Sequence, residues 1–470
     1  MIKGSLSQPV VLKSIADIFE RARIPITPED RAAKNNSRLP FRLLERWTSA
    51  CIEVDVEGPI FTKNVSGILR SIRGICAAAA SSNGAFARLN SRGNFPGHSH
   101  TSGSMVDRKF SFWIANLFDY ASFLQWAVGE LNDNESSVAA QSGERHNPST
   151  KLLTLLQIRM DVTRLIEHLY RAWLSDLMRF FGKLGVMALL DHQGLTGFAA
   201  EDNFKDTNSN TFKNIIMPLA KLASARFAEL ESERSVDDLV DCLEELADAL
   251  EASHLQSEIA GQLFGAIMSH ICASAFNQLL IRKNYATWKR GIQIQFNISR
   301  LEEWATSLQA KNPGYYFSAS RISSPVDSNA GPLVSAGLIN SSPIWQVEPL
   351  VQAVKLLQLA KTTVASDLEL LFEACPRLTI SQIRKILSIY VPDAFEDGPV
   401  SQDVLQGLTK LIVNHEKTDA FAEPKAQEIP LQLSIRPLPP TMGDDDFLKS
   451  QLSDSLSRLL APSTTHPGST

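Results

Sequence analysis

The sequence predicts an all-α protein. Apolar residues recur at intervals of three and four along most of the 470 residues, a spacing that is typical of helices burying one face. Period-2 alternation, which is typical of strands, is limited to short stretches such as 292–298. The length and the 44% share of apolar residues are enough for about two or three hydrophobic cores. We therefore expect a globular, helical protein with more than one core.

The apolar spacing places the helical segments along the chain. In order they are 10–22, 41–51, 62–79, 112–131, 152–190, 212–230, 236–251, 257–280, 299–308, 344–361, 367–374, 381–389 and 404–413. A hydroxyl side chain with Glu or Gln three residues later predicts N-terminal capping boxes at Ser299, Ser366 and Thr379. The segment 257–280 is apolar almost all round, so we expect it at the centre of a bundle.

Polar stretches divide the chain. Gly-, Ser- and Asn-rich composition predicts loops at 81–108, 132–149, 196–211 and 314–342. We place a subdomain boundary near Thr211, because a polar loop there separates two helix-rich blocks. The resulting division is an N-terminal tail 1–9, a first helical subdomain 10–211, a second subdomain 212–428, an extended Pro-interrupted strip 429–452 and a disordered end 453–470.

Several function classes are disfavoured by what the sequence lacks. The net charge of -5 gives no broad basic surface for nucleic acid, and the five scattered cysteines suggest neither a disulfide framework nor a zinc site. No signal peptide or uninterrupted apolar run of membrane-spanning length is visible. Phosphate-binding, zinc-protease and nucleophile-elbow motifs are absent, and His98 and His100 are better explained as a solvated loop than as metal ligands. We therefore predict a protein that is not an enzyme and has no cofactor or metal.

A basic and aromatic cluster directly follows the apolar segment 257–280. Its members are Arg282, Lys283, Tyr285, Trp288, Lys289 and Arg290. Because the whole chain is mildly acidic, this cluster is the best local candidate for binding an acidic partner or a phosphate. The alternative is a solvated loop in which Trp288 and Tyr285 pack inward, and the sequence favours neither interpretation.

The segment 344–361 has two distinct faces. Its apolar face contains Val347, Leu350, Val354 and Leu357, and its polar face contains Glu348, Gln352, Lys355 and Gln358. Taken alone, the polar face predicts only exposure to solvent.

Three stretches resemble the dilute domain of class V myosins, especially fungal ones. Residues 276–304, FNQLLIRKNYATWKRGIQIQFNISRLEEW, resemble the core of that domain. Residues 348–359, EPLVQAVKLLQL, and residues 378–390, LTISQIRKILSIY, match the next two helices of the family in order. Weaker similarity covers about residues 10–440, so the resemblance extends over nearly the whole globular tail of such a myosin.

The resemblance implies an elongated array of two helical subdomains, with the C-terminal strip returning to the first. It implies binding of organelle adaptors to the first subdomain, binding of Rab-type small GTPases to the second, and folding back onto the motor head. Carried over by position, it implies a vesicle-side patch of Phe296, Lys355 and Gln358. Relatives commonly have Tyr where Phe296 stands, so a hydrogen bond from that hydroxyl is lost here.

The sequence thus predicts a cytoplasmic cargo-binding tail for actin-based vesicle and organelle transport. It would reach actin and organelle surfaces through partners, without inserting into a membrane or binding nucleic acid. Neither a motor, nor light-chain-binding IQ repeats, nor sustained heptads occur in these 470 residues. A motorless dilute-domain scaffold, with the same partners and no transport, is the alternative.

Overall fold

A computed structural model describes eight ranges of this chain. The described residues are 38–53, 58–82, 102–142, 148–195, 234–312, 344–359, 368–392 and 399–416. Within these ranges the α-helices are α1 (Leu39–Glu53), α2 (Gly58–Ser82), α3 (Ser102–Ser142), α4 (Thr150–Val186), α5 (Val236–Ala252), α6 (Ser257–Ile281), α7 (Trp288–Lys311), α8 (Ile344–Gln358), α9 (Leu368–Ala374), α10 (Ile380–Ile389) and α11 (Gln402–Glu416). A π-helical turn, Met187–Asp191, continues α4, and a 3₁₀ turn, Lys283–Tyr285, precedes α7. No strand occurs in these ranges, and the predicted all-α class is confirmed.

The chain divides into two compact units. Unit 1 contains the described residues up to Trp173 together with Leu246–Gln256, and unit 2 contains the described parts of Leu174–Glu245 and of the chain from Ser257 onward. The predicted tail 1–9, boundary at Thr211, loop 314–342, strip 429–452 and end 453–470 lie outside the described residues. The predicted division into subdomains therefore stays a prediction.

Unit 1 has α3 at its centre, with α1 and α2 packed against it. Nearly every side chain from Phe110 to Leu124 is buried, so this helix has no solvent face here and its polar groups need partners inside. Asn116 accepts a hydrogen bond from the backbone N–H of Phe41 at 3.1 Å, and the hydroxyls of Thr48 and Tyr120 lie 2.9 Å apart. These bonds fix α1 on α3.

Unit 2 is built around α6, which packs against α8 and α10. Among the described residues α6 is the helix that is long and apolar enough to cross a membrane, but 72% of that apolar stretch is buried in the unit. It is therefore a core helix, as its apolar circumference predicts. Helix α4 approaches α6 closely at Gly185, where an added Cβ would lie 2.5 Å from Ile271 Cγ2.

Two of the predicted loops are partly wrong. Helix α3 begins at Ser102 and ends at Ser142, so 102–108 and 132–142 are helical instead of belonging to the loops 81–108 and 132–149. Most side chains from Asn132 to Val138 are exposed, and a helix end with mostly exposed side chains has the polar composition of a loop. Composition alone cannot distinguish an exposed helix end from a loop.

Helix α7 begins much earlier than the sequence predicts. Its N-cap is Thr287, whose hydroxyl accepts a hydrogen bond from the backbone N–H of Arg290 at 3.2 Å. Ser299, predicted to cap a helix at 299–308, lies in mid-helix and donates to the carbonyl of Gln295 at 3.1 Å. The capping box of Thr379 and Gln382 is confirmed at the start of α10. The predicted box at Ser366 lies outside the described residues.

Candidate docking surface

Helices α7 and α8 pack closely because Gly291 has no side chain. An added Cβ at Gly291 would lie 3.2 Å from Leu357 Cβ and 3.3 Å from Gln358 Cγ. The backbone of α7 therefore touches the side chains of α8 directly. This contact fixes the position of the last turn of α8, where Gln358 stands.

Lys355 and Gln358 lie one turn apart on the outer side of α8. Lys355 is exposed and Gln358 is half-buried, and residues three apart on a helix are neighbours on its surface. The opposite side of α8 is buried as the sequence predicts, at Val347, Leu350, Val354 and Leu357. The structure thus brings two of the three predicted patch residues together.

Gln352 departs from the predicted polar face of α8. It is only 2% exposed. Its Oε1 accepts a hydrogen bond from the backbone N–H of Arg377 at 2.8 Å, and its Nε2 donates to Glu348 Oε1 at 2.8 Å. The prediction of solvent exposure is wrong at this residue, because its amide pairs a backbone N–H in the turn that leads to α10.

The charge of Lys355 lies next to two carboxylates. Burial raises the pKa of Glu302, the neighbouring carboxylate of Glu348 raises it further, and Lys355 lowers it. Because the ammonium offsets a like-charge pair formed by α7 and α8, it has a local electrostatic role besides being exposed. A substitution at Lys355 changes both the surface charge and the environment of this pair.

Phe296 lies on a different side of α7. At about 100° per residue, it is rotated by about 140° from Gly291, which faces α8. It is 42% exposed, and an added Cβ at Gly194 would lie 3.6 Å from its Cε1. Within the described ranges no hydrogen bond or ring contact joins Phe296 to Lys355 or Gln358. A single patch of these three residues stays a prediction.

The basic and aromatic cluster is divided by burial. Arg282 and Lys283 are exposed in the 3₁₀ turn, and Trp288 and Lys289 are half-buried at the start of α7. Arg290 is only 8% exposed. With the Gln193 amide oriented so that its oxygen faces the guanidinium, Arg290 Nη1 and Nη2 donate to it at 2.9 and 2.7 Å. Arg290 was predicted as a surface charge, and that placement is wrong because it is packed against the turn after α4.

Tyr285 of this cluster packs inward. Its hydroxyl donates to Asp191 Oδ1 at 2.5 Å and accepts from Arg282 Nη1 at 3.0 Å. Burial raises the pKa of Tyr285 to about 12, and the Asp191 carboxylate adds to the effect. The phenol is therefore protonated at neutral pH and links the 3₁₀ turn to the end of the π-helical turn.

Two buried amides of α7 were missed by the sequence prediction. Asn297 Nδ2 donates to the carbonyls of Ala188, Leu189 and His192 at 3.1–3.2 Å, and its Oδ1 accepts from Gln293 Nε2 at 3.2 Å. These acceptors belong to the π-helical turn and its end, where carbonyls lack ordinary helical partners. The signal available in the sequence was the spacing of four residues between two amides, which places them on one helix face.

Gln293 completes this network. Its Oε1 accepts the backbone N–H of Leu195 at 3.0 Å. Together the two amides hold residues 188–195 against α7, and so position Gly194 beside Phe296. The position of Gly194 beside Phe296 therefore depends on buried polar groups of α7.

The outer side of α8 and the exposed ring on α7 are available for contact with another molecule. The described ranges contain no group of three or more His, Cys, Asp or Glu residues that could hold a metal ion. The candidate residues occupy the outer sides of packed helices, a geometry that suits recognition of another protein. The described part of the chain is thus a helical domain that presents polar and aromatic side chains on its packed helices.

Comparison with known proteins shows what this domain is similar to. Residues 262–394, which run from within α6 to just past the end of α10, match the DIL domain family. The chain is 25% identical to myosin-2A of Naumovozyma castellii over 310 residues, which are 66% of the chain and 16% of that protein. It is 25% identical to human unconventional myosin-Vb over 295 residues, 61% of the chain and 13% of that protein. The chain thus spans about a sixth or less of these relatives.

Solved structures show the same fold. An apo structure of Myo2-GTD superposes with a TM-score of 0.61 at 18% identity, covering 98% of each chain. A yeast myosin 5 cargo-binding domain gives a TM-score of 0.63 at 16% identity, again covering 98% of each chain. Residues 262–394 therefore match the DIL domain family, the chain is similar in sequence to class V myosins, and it has the fold of their globular tails. The resemblance predicted from the sequence is confirmed.

Proposed function

We propose that this chain is the cargo-binding globular tail of a class V myosin. It docks Rab-type small GTPases and organelle adaptors for actin-based transport of vesicles and organelles. The observation that carries the proposal is the coincidence of the DIL match with the packed helices that present Lys355 and Gln358 to solvent. The chain acts by binding, and a motor elsewhere in a longer protein supplies the ATPase activity.

Solved relatives support the kind of partner. Myo2-GTD has been solved in complex with Mmr1 and with Smy1, at TM-scores of 0.59 and 0.60 to this chain and 17% identity. A third complex contains Inp2. We extend protein docking of this kind to the present chain, with Rab-type GTPases as the partners of the α8 surface. The same partners place the chain in the cytoplasm at organelle surfaces, and the motor head is a further partner when the tail folds back on it.

The chemistry of the α8 surface suits a partner with an acidic contact. Lys355 offers three N–H donors on an exposed, positively charged group, and Gln358 one turn away offers both donor and acceptor atoms. A partner carboxylate would meet the exposed ammonium of Lys355. Phe296 supplies an apolar contact on another side of α7, and so belongs to the same interface only if the partner extends around that helix.

Binding of a Rab-type GTPase to the Lys355 variants tests the proposal. Lys355→Glu should weaken capture of a GTP-loaded secretory Rab by about tenfold or more, because it replaces the positive contact by a repulsive one. Lys355→Glu also adds a third carboxylate beside Glu302 and Glu348, which destabilises the fold locally. Lys355→Gln removes the charge without that repulsion, so it should weaken binding while leaving the thermal unfolding midpoint near that of the parent.

Lys385→Glu is the matched control, since Lys385 is an exposed lysine of α10 in the same unit. It should bind the GTPase like the parent chain. Undiminished capture by both Lys355 variants, with normal circular-dichroism spectra, would refute the proposed contact. A motorless scaffold would show the same binding, so the coding sequence upstream, with or without a phosphate-binding loop and IQ repeats, decides between the two functions.

A further inference from the structure

A groove in unit 1 has the size of a small-molecule site. It lies between the end of α1 and the first turns of α2 and α4, and its volume is about 1000 Å³. Pockets that hold small organic ligands have volumes of about 300–1,000 Å³. Within its lining α2 and α4 touch, since an added Cβ at Gly58 would lie 2.7 Å from Thr154 Oγ1. The groove is therefore formed by three packed helices, and it shares no residue with the α8 surface.

One part of the lining is apolar. Phe61 and Leu155 are buried, and the centroid of the Phe61 ring lies 5.2 Å from that of Trp47 on α1. Leu153, also in the lining, is 52% exposed. Burial raises the pKa of the Cys51 thiol to about 12, so this lining residue carries no charge at neutral pH. A hydrocarbon group can be removed from water on this side of the groove.

The other part of the lining is positively charged. Lys63 of α2 and Lys151 of α4 both belong to it, and among the described residues that line the groove there is no Asp or Glu. The first residues of α2 and α4 are also in the lining, so the positive ends of two helix dipoles add to the field. At α4 this end is partly matched, because Glu135 Oε2 accepts the backbone N–H of Ser149 at 3.1 Å. The two ammonium groups are therefore the main source of positive charge.

The hydroxyls of the groove are already used as donors inside their own helices. Thr62 Oγ1 and Thr154 Oγ1 donate to backbone carbonyls one turn earlier, at 2.9 and 2.7 Å. Lys151 Nζ donates to the carbonyl of Ile52 at 3.4 Å, and Lys63 is exposed. Each ammonium has three N–H donors, so the lysines, more than the hydroxyls, decide which ligand fits. Their charge selects an anion.

We propose that this groove binds an amphiphile with a phosphate head and a single hydrocarbon chain. The phosphate lies between Lys63 and Lys151, and the chain lies along Leu153 and Phe61. Two ammonium groups match the charge of a phosphate monoester, about -1.5 to -2 at neutral pH. The apolar lining favours a ligand with a chain over free phosphate. This site goes beyond the proposed function, because it holds a small molecule and takes no part in docking a protein.

Calorimetric titration of the full chain with ligands that share an eight-carbon chain tests the proposal. Octyl phosphate, below its micelle concentration, should bind at least about tenfold more tightly than octyl glucoside, octyltrimethylammonium or inorganic phosphate, because it alone has both parts. Added salt should weaken its binding, since the charges are screened. Equal binding of octyl glucoside would reduce the groove to an apolar surface, and equal binding of inorganic phosphate would reduce it to a simple anion site. Either result, or no binding of octyl phosphate, would overturn the proposal.

Matched variants locate the ligand in the groove. Lys63→Gln should weaken octyl phosphate binding by about fivefold, since it removes one ammonium and leaves the Lys151 contact with α1 in place. Leu153→Gln should also weaken it by about fivefold, since it removes an apolar contact. Arg70→Gln removes an exposed charge two turns further along α2, and Val138→Gln removes an apolar residue, 66% exposed, on α3. Both of these controls should bind like the parent.

Thermal unfolding provides a second measurement on the same variants. Because the changed side chains are exposed, all four variants should unfold near the midpoint of the parent without ligand. Saturating octyl phosphate should raise the midpoint of the parent and of both controls, and should raise those of Lys63→Gln and Leu153→Gln less. Undiminished binding and an equal rise in both groove variants would place the ligand elsewhere and refute the assignment.

Discussion

Helices α7 and α8 both contribute residues to the candidate surface, but they differ in where their polar residues lie. On α8 the apolar residues point inward and Lys355 outward, as an amphipathic pattern predicts. On α7 Gln293 and Asn297 are buried and Phe296 is exposed. The same packed cluster thus contains one helix that largely follows the pattern and one that departs from it at these three residues, while its Ile294, Ile298 and Leu301 are buried as expected.

The difference arises from what each helix packs against. Helix α8 faces the apolar side chains of α6 and α7, so apolar residues fit there. Helix α7 also packs against the π-helical turn after α4, whose carbonyls require donors. Buried amides are therefore used where a helix meets irregular backbone, and aliphatic residues where it meets another regular helix.

Among the polar residues of α7 and α8, the largest effect on the free energy of unfolding is expected at Asn297. Asn297→Ala should lower the free energy of unfolding by roughly 2–4 kcal/mol, because it removes the donor to three buried carbonyls and the acceptor of Gln293. Urea unfolding followed by circular dichroism measures the change. Asn277→Ala, an exposed asparagine of α6, is the control and should stay within about 0.5 kcal/mol of the parent. Similar values for both variants would contradict the role given to the amide network.

A smaller effect on the free energy of unfolding is expected at Gln352, which is a buried amide of α8, as Gln293 and Asn297 are on α7. Gln352→Ala should cost roughly 1–2 kcal/mol, since it leaves the backbone N–H of Arg377 without its acceptor. The exposed Gln406 of α11 supplies the comparison, and Gln406→Ala should be close to neutral in the same urea titration. If Gln352→Ala were as mild as this control, the hydrogen bond to the turn would contribute little, and the contrast between the helices would be sharper than proposed.

The two helices also show what the sequence can predict. The buried side of α8, the apolar circumference of α6 and the capping box at Thr379 are local features, and each is confirmed. The start of α7 at Trp288 was missed, since the alternation at 292–298 includes amides whose partners are residues 188–195, far away in the chain. No local pattern contains that information.

The same reasoning applies to the candidate site. The exposure of Lys355 follows from its position on an amphipathic helix, and the sequence predicts it. The burial of Arg290 against Gln193 and the rotation of Phe296 away from α8 depend on tertiary contacts. The groove of unit 1 was not predicted at all, because its lining comes from the end of one helix and the beginnings of two others.

The smallest effect on stability is expected at Phe296, an apolar residue of α7 that is exposed instead of buried. Phe296→Ser should lower the free energy of unfolding by about 1 kcal/mol or less, because the side chain is 42% exposed and the change removes only partial burial. Phe264→Ser is the contrast, since that ring is fully buried beside Trp304, and it should be strongly destabilising. In Rab-binding measurements, the effects of Phe296→Ser and Lys355→Gln should add within about 0.5 kcal/mol, as expected for residues without mutual contact. Clear non-additivity would mean that the partner joins the two sides of α7 into one patch, which is the arrangement that the family resemblance implies.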